Sequence, residues 1–568
     1  MFSREYERRF FKGDPVKQYI KVIPTTVLAV ILYSIHFAWA DSLPQFDRVT
    51  IGAASTYYYD ATMDSQNNIL MSGYFYGTVD FDYEESVDLH VPIGAFDGFI
   101  TKFNADGSYG WTRTIGSNSF DIIINISTDA FGNIFYGGFI NGIADLDPTS
   151  GEDWYGRVSQ ITGFITKLNP DGSYAWTKAF EAVGGDRHLV RTAIDSNGNI
   201  FCVSFFTGTV DFDPGSEIYS VTGNSADIAI TKLAPDGTHL WTKIITGPRQ
   251  QTVSQAIITN NGSVVFTGQF EGSADFDPTD GIDIRTSSSF DYFVTKINSD
   301  GSYGWTFNEL GGSFMRSVTL DSTENVILAV RNRIIKLNPD GSELWRQNWS
   351  SLFEILDVTV DHENNILSTG FFTDTVDFDP SEGHDEHTDL GQYSMFLLKL
   401  NSDRSYGWAQ SFGGLNSNNG NNQNVHVDSF GNIVMTGEFS GTIDFDPGPE
   451  ERNYTGDNLF ALKLRTNHTP LIIAPVGISG TTGRMLQFEV LVSDEDAGDN
   501  VFVSFPTLPA WIRVLSSQTS SNHYVLGGIP RAQGMFQVII EADDGNEVAS
   551  HQTVIDIRRS PASKLPNP

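Results

Sequence analysis

The chain has 568 residues and a formal net charge of -35, from 35 Lys and Arg against 70 Asp and Glu. That length exceeds one ordinary domain, and that charge argues against a nucleic-acid partner, since little in the chain could neutralise phosphates. With 41 Phe, 20 Tyr and 10 Trp beside 54 Gly and 22 Pro, the composition is that of a β-rich globular protein rather than a disordered one.

Residues 1–40 carry Arg4, Arg8, Arg9, Lys12, Lys17 and Lys21, then an apolar run from Val22 that ends in "AWA" before Asp41. This pattern predicts a signal peptide cut after Ala40. The rival reading is an uncleaved anchor, because the run nearly reaches a membrane span; Pro24, Ser34 and His36 weaken it. Export to the cell surface or the extracellular space is expected, with membrane contact only if the segment stays uncleaved. Cys202 is the single cysteine, so no intramolecular disulfide forms; within "FCVSFF" it reads as a buried, inert thiol.

Residues 41–466 repeat. A turn of the form D-x-x-G/N-N appears at Asp64, Asp129, Asp195, Asp361 and Asp428, with "DSTEN" at Asp321 and "NNGS" at Asn260 as divergent copies. An acidic segment follows in six units: "GTVDFDY" at Gly77, "GIADLDP" at Gly142, "GTVDFDP" at Gly208, "GSADFDP" at Gly272, "DTVDFDP" at Asp374 and "GTIDFDP" at Gly441. The third marker, "FITKLNPDGSYAW" from Phe164, has relatives ending at Trp111, Trp241, Trp305, Trp345 and Trp408. The unit ending at Trp345 lacks the acidic segment, which is therefore an insertion and not the core of the unit.

Each unit reads as four short strands, with Asp-Gly turns between the third and fourth. Four antiparallel strands per unit of this length predict propeller blades. Seven turns against six tryptophans predict a closure by exchange. The last unit stops at "NLFALKL" without a fourth strand, and "PQFDRVTIGAAS" from Pro44 matches "YGWTRTIGSNS" from Tyr109, with Phe46 on Trp111. Residues 44–52 are thus expected to complete the last blade and remove the free sheet edges. From residue 470 to 559 the style changes to about ninety residues of alternating strands, and 560–568 reads as a loose tail. The expected fold class is all-β: a seven-bladed β-propeller followed by a β-sandwich.

The combined repeat motif resembles bacterial seven-bladed β-propeller repeat proteins of the cell surface, from Pro44 to about Leu464. That resemblance implies a binding or scaffold module and brings no catalytic residue with it. The segment with "SDEDAGD" at Ser493, "LPAWI" at Leu508, "GIPRAQGMFQV" at Gly528 and "ADDG" at Ala542 resembles the cadherin-like, immunoglobulin-type domain named for dystroglycan. This second resemblance implies calcium at Asp494, Asp496, Asp543 and Asp544, since Ca²⁺ takes about six to eight hard oxygens. Cadherin calcium lies between consecutive domains and one such domain is present here, so a solvated loop is the equal alternative.

The acidic pairs Asp80 and Asp82, Asp145 and Asp147, Asp211 and Asp213, Asp275 and Asp277, Asp377 and Asp379, and Asp444 and Asp446 are weaker calcium candidates. Two carboxylates are too few ligands, and the plainer reading packs the intervening aromatic while the acids cap a turn. "HDEH" at His384 is the one local His/acid cluster and reads as loop polarity. No nucleophile elbow, zincin or phosphate-loop motif occurs. The expected function is binding or adhesion at the cell surface, with calcium as the ion and an unknown protein or glycan as partner. A propeller-based carbohydrate-active enzyme is the alternative, to be recognised by carboxylates, Arg, His or Tyr converging at one channel mouth. A structural spacer without ligand is the third.

Overall fold

The computed structural model describes residues 43–559 apart from 83–85, 184–187, 310–314, 382, 390, 415–422, 449–450, 467–470, 494–500, 519–521 and 544–547. The candidate signal segment and the tail lie outside the described residues, as do Asp494, Asp496 and Asp544; Asp543 is described only as the last residue of a strand. Among the described residues no helix is long and apolar enough to cross a membrane.

Among the described residues seven antiparallel sheets follow one another, six of four strands and the third of five, where Ala182–Val183 adds a short strand. The first is built from Thr56–Met63, Ile69–Phe75, Asp97–Phe103 and Tyr109–Ile115, in that order. The first strands of the later blades are Ile122–Thr128, His188–Ile194, Gln251–Ile258, Met315–Leu320, Phe353–Val360 and Gln423–Val427. Each neighbours the next, and the seventh neighbours the first, so the seven encircle a central channel. Five of these strands carry a β-bulge, at Tyr59, Ile124, Ser254, Arg316 and Leu356. A bulge bends a strand and re-aims the side chains beside it.

The last sheet is closed by the first strand of the fold: Gln45–Ala54 pairs antiparallel with Asn453–Arg465. The register differs from the alignment of Phe46 on Trp111. In the first blade Tyr109 lies opposite Phe103 and Trp111 opposite Lys102; here Phe46 lies opposite Leu464 and Arg48 opposite Lys463. Arg48 therefore takes the tryptophan's place and Phe46 the tyrosine's. The reason is packing against the next blade. Trp111 lies against Gly172, whose φ of +78° no ordinary side chain favours and where an added Cβ would come within 2.7 Å of the indole. Arg48 lies in the same way against Gly107 and donates to the carbonyl of Ala105.

Sheet packing is apolar. Phe75, Phe99, Phe164, Phe201 and Phe266 are fully buried, within separate apolar clusters between blades. The acidic segment extends the hairpin of the second and third strands. In the third blade Ile200–Asp211 pairs with Ser220–Leu233 out to Asp211 opposite Ser220. The fifth blade has no such arm and turns tightly from Val326–Val330 into Arg333–Leu337.

The C-terminal segment forms two four-stranded sheets. One holds Leu471–Ile473, Leu486–Ser493, His523–Gly528 and Ile512–Gln518; the other holds Gly477–Thr481, Val548–Arg558, Gly534–Asp543 and Phe502–Thr507. Val490, Leu526, Val538, Ile540 and Ile555 are fully buried in one cluster with residues from both sheets, which makes a sandwich.

Candidate functional site

The acidic pairs are braces of the arm. In every copy the first carboxylate accepts two backbone N–H groups through Oδ1, from the second Asp and from the residue eight along. For Asp211 these are Asp213 at 3.1 Å and Tyr219 at 2.8 Å; for Asp145 they are Asp147 at 3.0 Å and Asp153 at 2.7 Å. Asp80, Asp275, Asp377 and Asp444 repeat the pattern. The second Asp caps the following turn: Asp213 accepts from Gly215, Asp147 and Asp277 from Thr149 and Thr279, Asp379 from Ser381, Asp446 from Gly448, and Asp82 from the Ser86 hydroxyl. Between them Phe81, Leu146, Phe212, Phe276, Phe378 and Phe445 are buried.

The residue eight along also anchors the arm to the outer strand. Asp88, Asp153, Asp283 and Asp385 each accept the hydroxyl of a tyrosine: Tyr109, Tyr174, Tyr303 and Tyr406. Where that residue is Tyr219 it meets the ring of His239, and where it is Arg452 its guanidinium lies over Phe46. The same contact is thus rebuilt with three chemistries. Among the described residues no group of three or more His, Cys, Asp or Glu is arranged to hold a metal ion. In "HDEH", His384 pairs with Asp377 at 2.8 Å and His387 with Asp385 at 3.3 Å and with the Ser411 hydroxyl, so this cluster also belongs to an arm.

The D-x-x-G-N turns are structural too. Asp321 accepts the backbone N–H groups of Thr323 and Asn325 at 2.9 Å, the Asn325 amide at 2.8 Å and the buried Lys336 ammonium at 2.8 Å. Asp64 with Lys102 and Asp428 with Lys463 make the same pair at 3.0 and 2.7 Å. Cys202 is buried, and burial pushes its thiol well up, so it is inert.

The convergent polar site lies elsewhere, at one mouth of the central channel. A cavity of about 240 Å³ there is lined by Tyr59, Asp60, Arg191, Gln255, Asp357 and Asn424, with Arg316, Gln423 and the apolar Val253, Met315 and Leu356 beside them. Five of the blades supply its polar groups from one position, four residues before the turn: Asp60, Arg191, Gln255, Asp357 and Asn424; the same position holds Asn125 and Ser317 in the other two blades. A second, open cavity of about 410 Å³ around Asp211 and Asp213 is larger, but both acids there already brace the arm.

The channel position joins neighbouring blades. Asp60 Oδ2 accepts the Ile126 N–H and the Asn125 amide, both at 3.0 Å. Asn125 accepts the Thr192 N–H at 2.7 Å, Gln255 the Val318 N–H at 2.7 Å, and Asp357 the Val425 N–H at 2.8 Å. Arg191 cannot accept, so the chain of bonds changes character there. Its Nη1 donates to the Ile124 carbonyl at 3.2 Å and its Nε meets no partner among the described residues. No described donor reaches Asp60 Oδ1, which is left to the lumen.

Electrostatics follow from this enclosure. Burial pushes Asp60 up to about 6, against the pull of the Ile126 N–H, Arg191 and Asn125. Burial likewise pushes Asp357 up to about 6, opposed by hydrogen bonds from Ser317, Val425, Val358 and Asn424. At the rim, Glu438 is pushed by burial to about 7 and accepts the Tyr58 N–H. Tyr59 is raised to about 12, by burial first and then by Tyr57 and Tyr74. Perturbed groups gathered in a concave site mark functional positions.

No protein-family profile matches the chain. It is 24% identical over 493 residues to an uncharacterized WD repeat-containing protein, L264, of Acanthamoeba polyphaga mimivirus, a match spanning 67% of this chain and 35% of the relative's length. Among solved structures, the Neurospora crassa Pan2 WD40 domain is 9% identical with a TM-score of 0.30, covering 58% of this chain and 94% of that one. A Bacteroides caccae protein of unknown function is 12% identical with a TM-score of 0.31, covering 55% of this chain and 89% of that one. The chain is thus similar in sequence to a WD repeat-containing protein over two thirds of its own length and about a third of that relative's.

Proposed function

We propose that this chain is an exported binding protein whose ligand docks at the channel mouth. One observation carries the reading: Asp60, Arg191 and Asp357, three charges with no counterpart elsewhere in the repeat, converge on a single cavity. A repeat maintained only for architecture would place like residues around the ring, as it does at the arms and the turns. The N-terminal segment supports export, and the strongly acidic surface suits a protein working outside the cell. Calcium belongs to this proposal at Asp494, Asp496, Asp543 and Asp544, on the resemblance to cadherin-like domains.

The second reading is a carbohydrate-active enzyme, favoured by the two raised carboxyl groups of one cavity. Thermal-shift screening of the full chain against small ligands, beside an Asp60→Asn/Asp357→Asn variant, tests the binding reading. Ligand-induced stabilisation of the wild type that the double variant loses is expected. Stabilisation retained in full by the variant would place the ligand elsewhere and overturn it. Release of reducing ends from an added polysaccharide, abolished in the variant, would decide for the enzyme.

A further inference from the structure

A run of aromatic rings leads away from the channel cavity. Tyr59, which lines the cavity, lies 5.3 Å from Tyr57, and Tyr57 stacks on Tyr74 at 5.1 Å with planes 10° apart. Tyr74 meets Phe96 at 5.0 Å, Phe96 meets Phe120 at 6.2 Å, and Phe120 meets the buried Phe139 at 6.0 Å. Tyr57, Tyr59, Tyr74, Phe96 and Phe120 are each only half-buried, so the run forms an accessible strip from the first blade to the second. The repeat does not require it. The position of Tyr74 is held by Gln269 in the fourth blade and by Glu438 in the seventh, and a core role is met by the neighbouring Phe75, which is fully buried.

The cavity at the head of the strip is dense in hydrogen-bonding groups and close to charge-balanced. Asp60 and Asp357 face Arg191 and Arg316, and the amides of Gln255, Gln423 and Asn424 complete the lining. Arg316 also pairs with Glu354 at 2.7 Å. Such a lining has donors and acceptors of both kinds and no net charge to select an ion. It suits a ligand that is neutral and studded with hydroxyl groups. The strip suits flat apolar faces whose edges are polar, because tyrosine combines an aromatic face with a hydroxyl. A sugar ring has both properties: C–H groups on its faces and hydroxyls around its edge.

Resting on the channel-mouth reading, we infer that the ligand is a neutral saccharide chain. Its terminal unit enters the cavity among Asp60, Arg191, Gln255 and Asn424, and the following units lie along Tyr59, Tyr57, Tyr74 and Phe96. Asp60 Oδ1 and the guanidinium of Arg191 are the groups with hydrogen-bonding capacity left for its hydroxyls. A peptide would need backbone partners along the strip, and aromatic rings provide none.

Affinity electrophoresis of the full chain tests this, in native gels cast with neutral β-glucan, mannan, galactan or xylan. Polygalacturonate and chitosan serve as the anionic and cationic controls. Retardation by at least one neutral polysaccharide is expected. Tyr74→Ala and Arg191→Met should each weaken it by about tenfold or more, while Tyr74→Phe, which keeps the stacking face, should retain most of it. Melting temperatures of the variants show that each is folded; if Tyr74→Ala unfolds, Tyr57→Ala and Tyr74→Gln replace it. Retardation that is the same in all variants would put the saccharide elsewhere and overturn the inference, and so would retardation by chitosan or polygalacturonate alone. If no polysaccharide retards the chain, the saccharide assignment falls. A hexapeptide library read by thermal shift then separates the two ideas. A shift lost in Arg191→Met leaves the channel mouth as the site, and none at all removes both.

Discussion

The carboxylate of Asp60 in the first blade accepts the backbone N–H of Ile126 in the second at 3.0 Å, and Asp357 does the same for Val425, six blades into the ring, at 2.8 Å. These acids link blades and line the cavity at once. Because burial raises both to about 6 from the usual 3.8, the folded state holds their protons more tightly than the unfolded chain does. The stability they contribute is therefore complete below pH 4 and is lost as pH rises through 6. Asp60→Asn and Asp357→Asn should each gain on the wild type across that interval, by about 1–3 kcal/mol. Urea unfolding at pH 4, 5, 6 and 7 reads this directly. Wild-type and variant curves that stay parallel with pH would refute the burial argument.

The Asp321–Lys336 pair behaves in the opposite sense. Burial alone would raise Asp321, but Lys336, Asn325 and Thr323 outweigh it and hold the acid at about 2. Its contribution is present above pH 4 and lost as pH falls through 2. Asp321→Ala leaves the Lys336 ammonium buried without its anion, and should cost about 3–5 kcal/mol at neutral pH. Asp321→Ala/Lys336→Met should recover a large part of that loss. A double variant no more stable than Asp321→Ala would mean that the turn, rather than the charge, is what matters.

The four-strand unit and the dispensable acidic arm were legible in the sequence because the turn chemistry is written into nearly every copy. Asp-Gly turns separate the third and fourth strands, and the copy ending at Trp345 shows what can be removed. The register of the edge strand was not legible. One more residue lies between Phe46 and Gly52 than between Trp111 and Gly116, and aligning one aromatic on another hides it. Only the pairing of Arg48 with Lys463 shows a guanidinium in the indole's place over Gly107. The channel mouth was hidden for a different reason. Its residues come from six different units, so no local motif holds them. They stand where the copies differ, four residues before each turn, and a column comparison at that position exposes Asp60, Arg191 and Asp357 as unlike charges on one ring.

Two glycines separate backbone strain from steric overlap. Gly77 has a φ of +69° with nothing near an added Cβ, whereas Gly341 has a φ of +84° and its Cβ would come within 2.5 Å of the Trp305 ring. Gly77→Ala should cost about 1 kcal/mol, from conformation alone. Gly341→Ala should cost about 3 kcal/mol or more, because the indole is also held by its bond to the Pro339 carbonyl at 2.9 Å. Denaturant midpoints of the two variants give the comparison. Equal losses would show that the indole yields freely and that the blade-to-blade contact is soft.

The arm acids permit a test that distinguishes a brace from an ion site. Asp211 Oδ1 receives the N–H groups of Asp213 and Tyr219, so Asp211→Ala removes two hydrogen bonds at a half-buried turn and should cost about 1–3 kcal/mol. Asp211→Asn keeps a carbonyl oxygen in the same place and should cost well under 1 kcal/mol. A brace needs an acceptor, and an amide oxygen is one; a calcium ligand needs the charge as well. The order of the two variants in a thermal melt of the full chain should therefore be unchanged by calcium or by a chelator. If Asp211→Asn instead falls as far as Asp211→Ala in calcium, and recovers relative to the wild type when calcium is removed, the arm is an ion site and the hydrogen-bonded turn is only its scaffold.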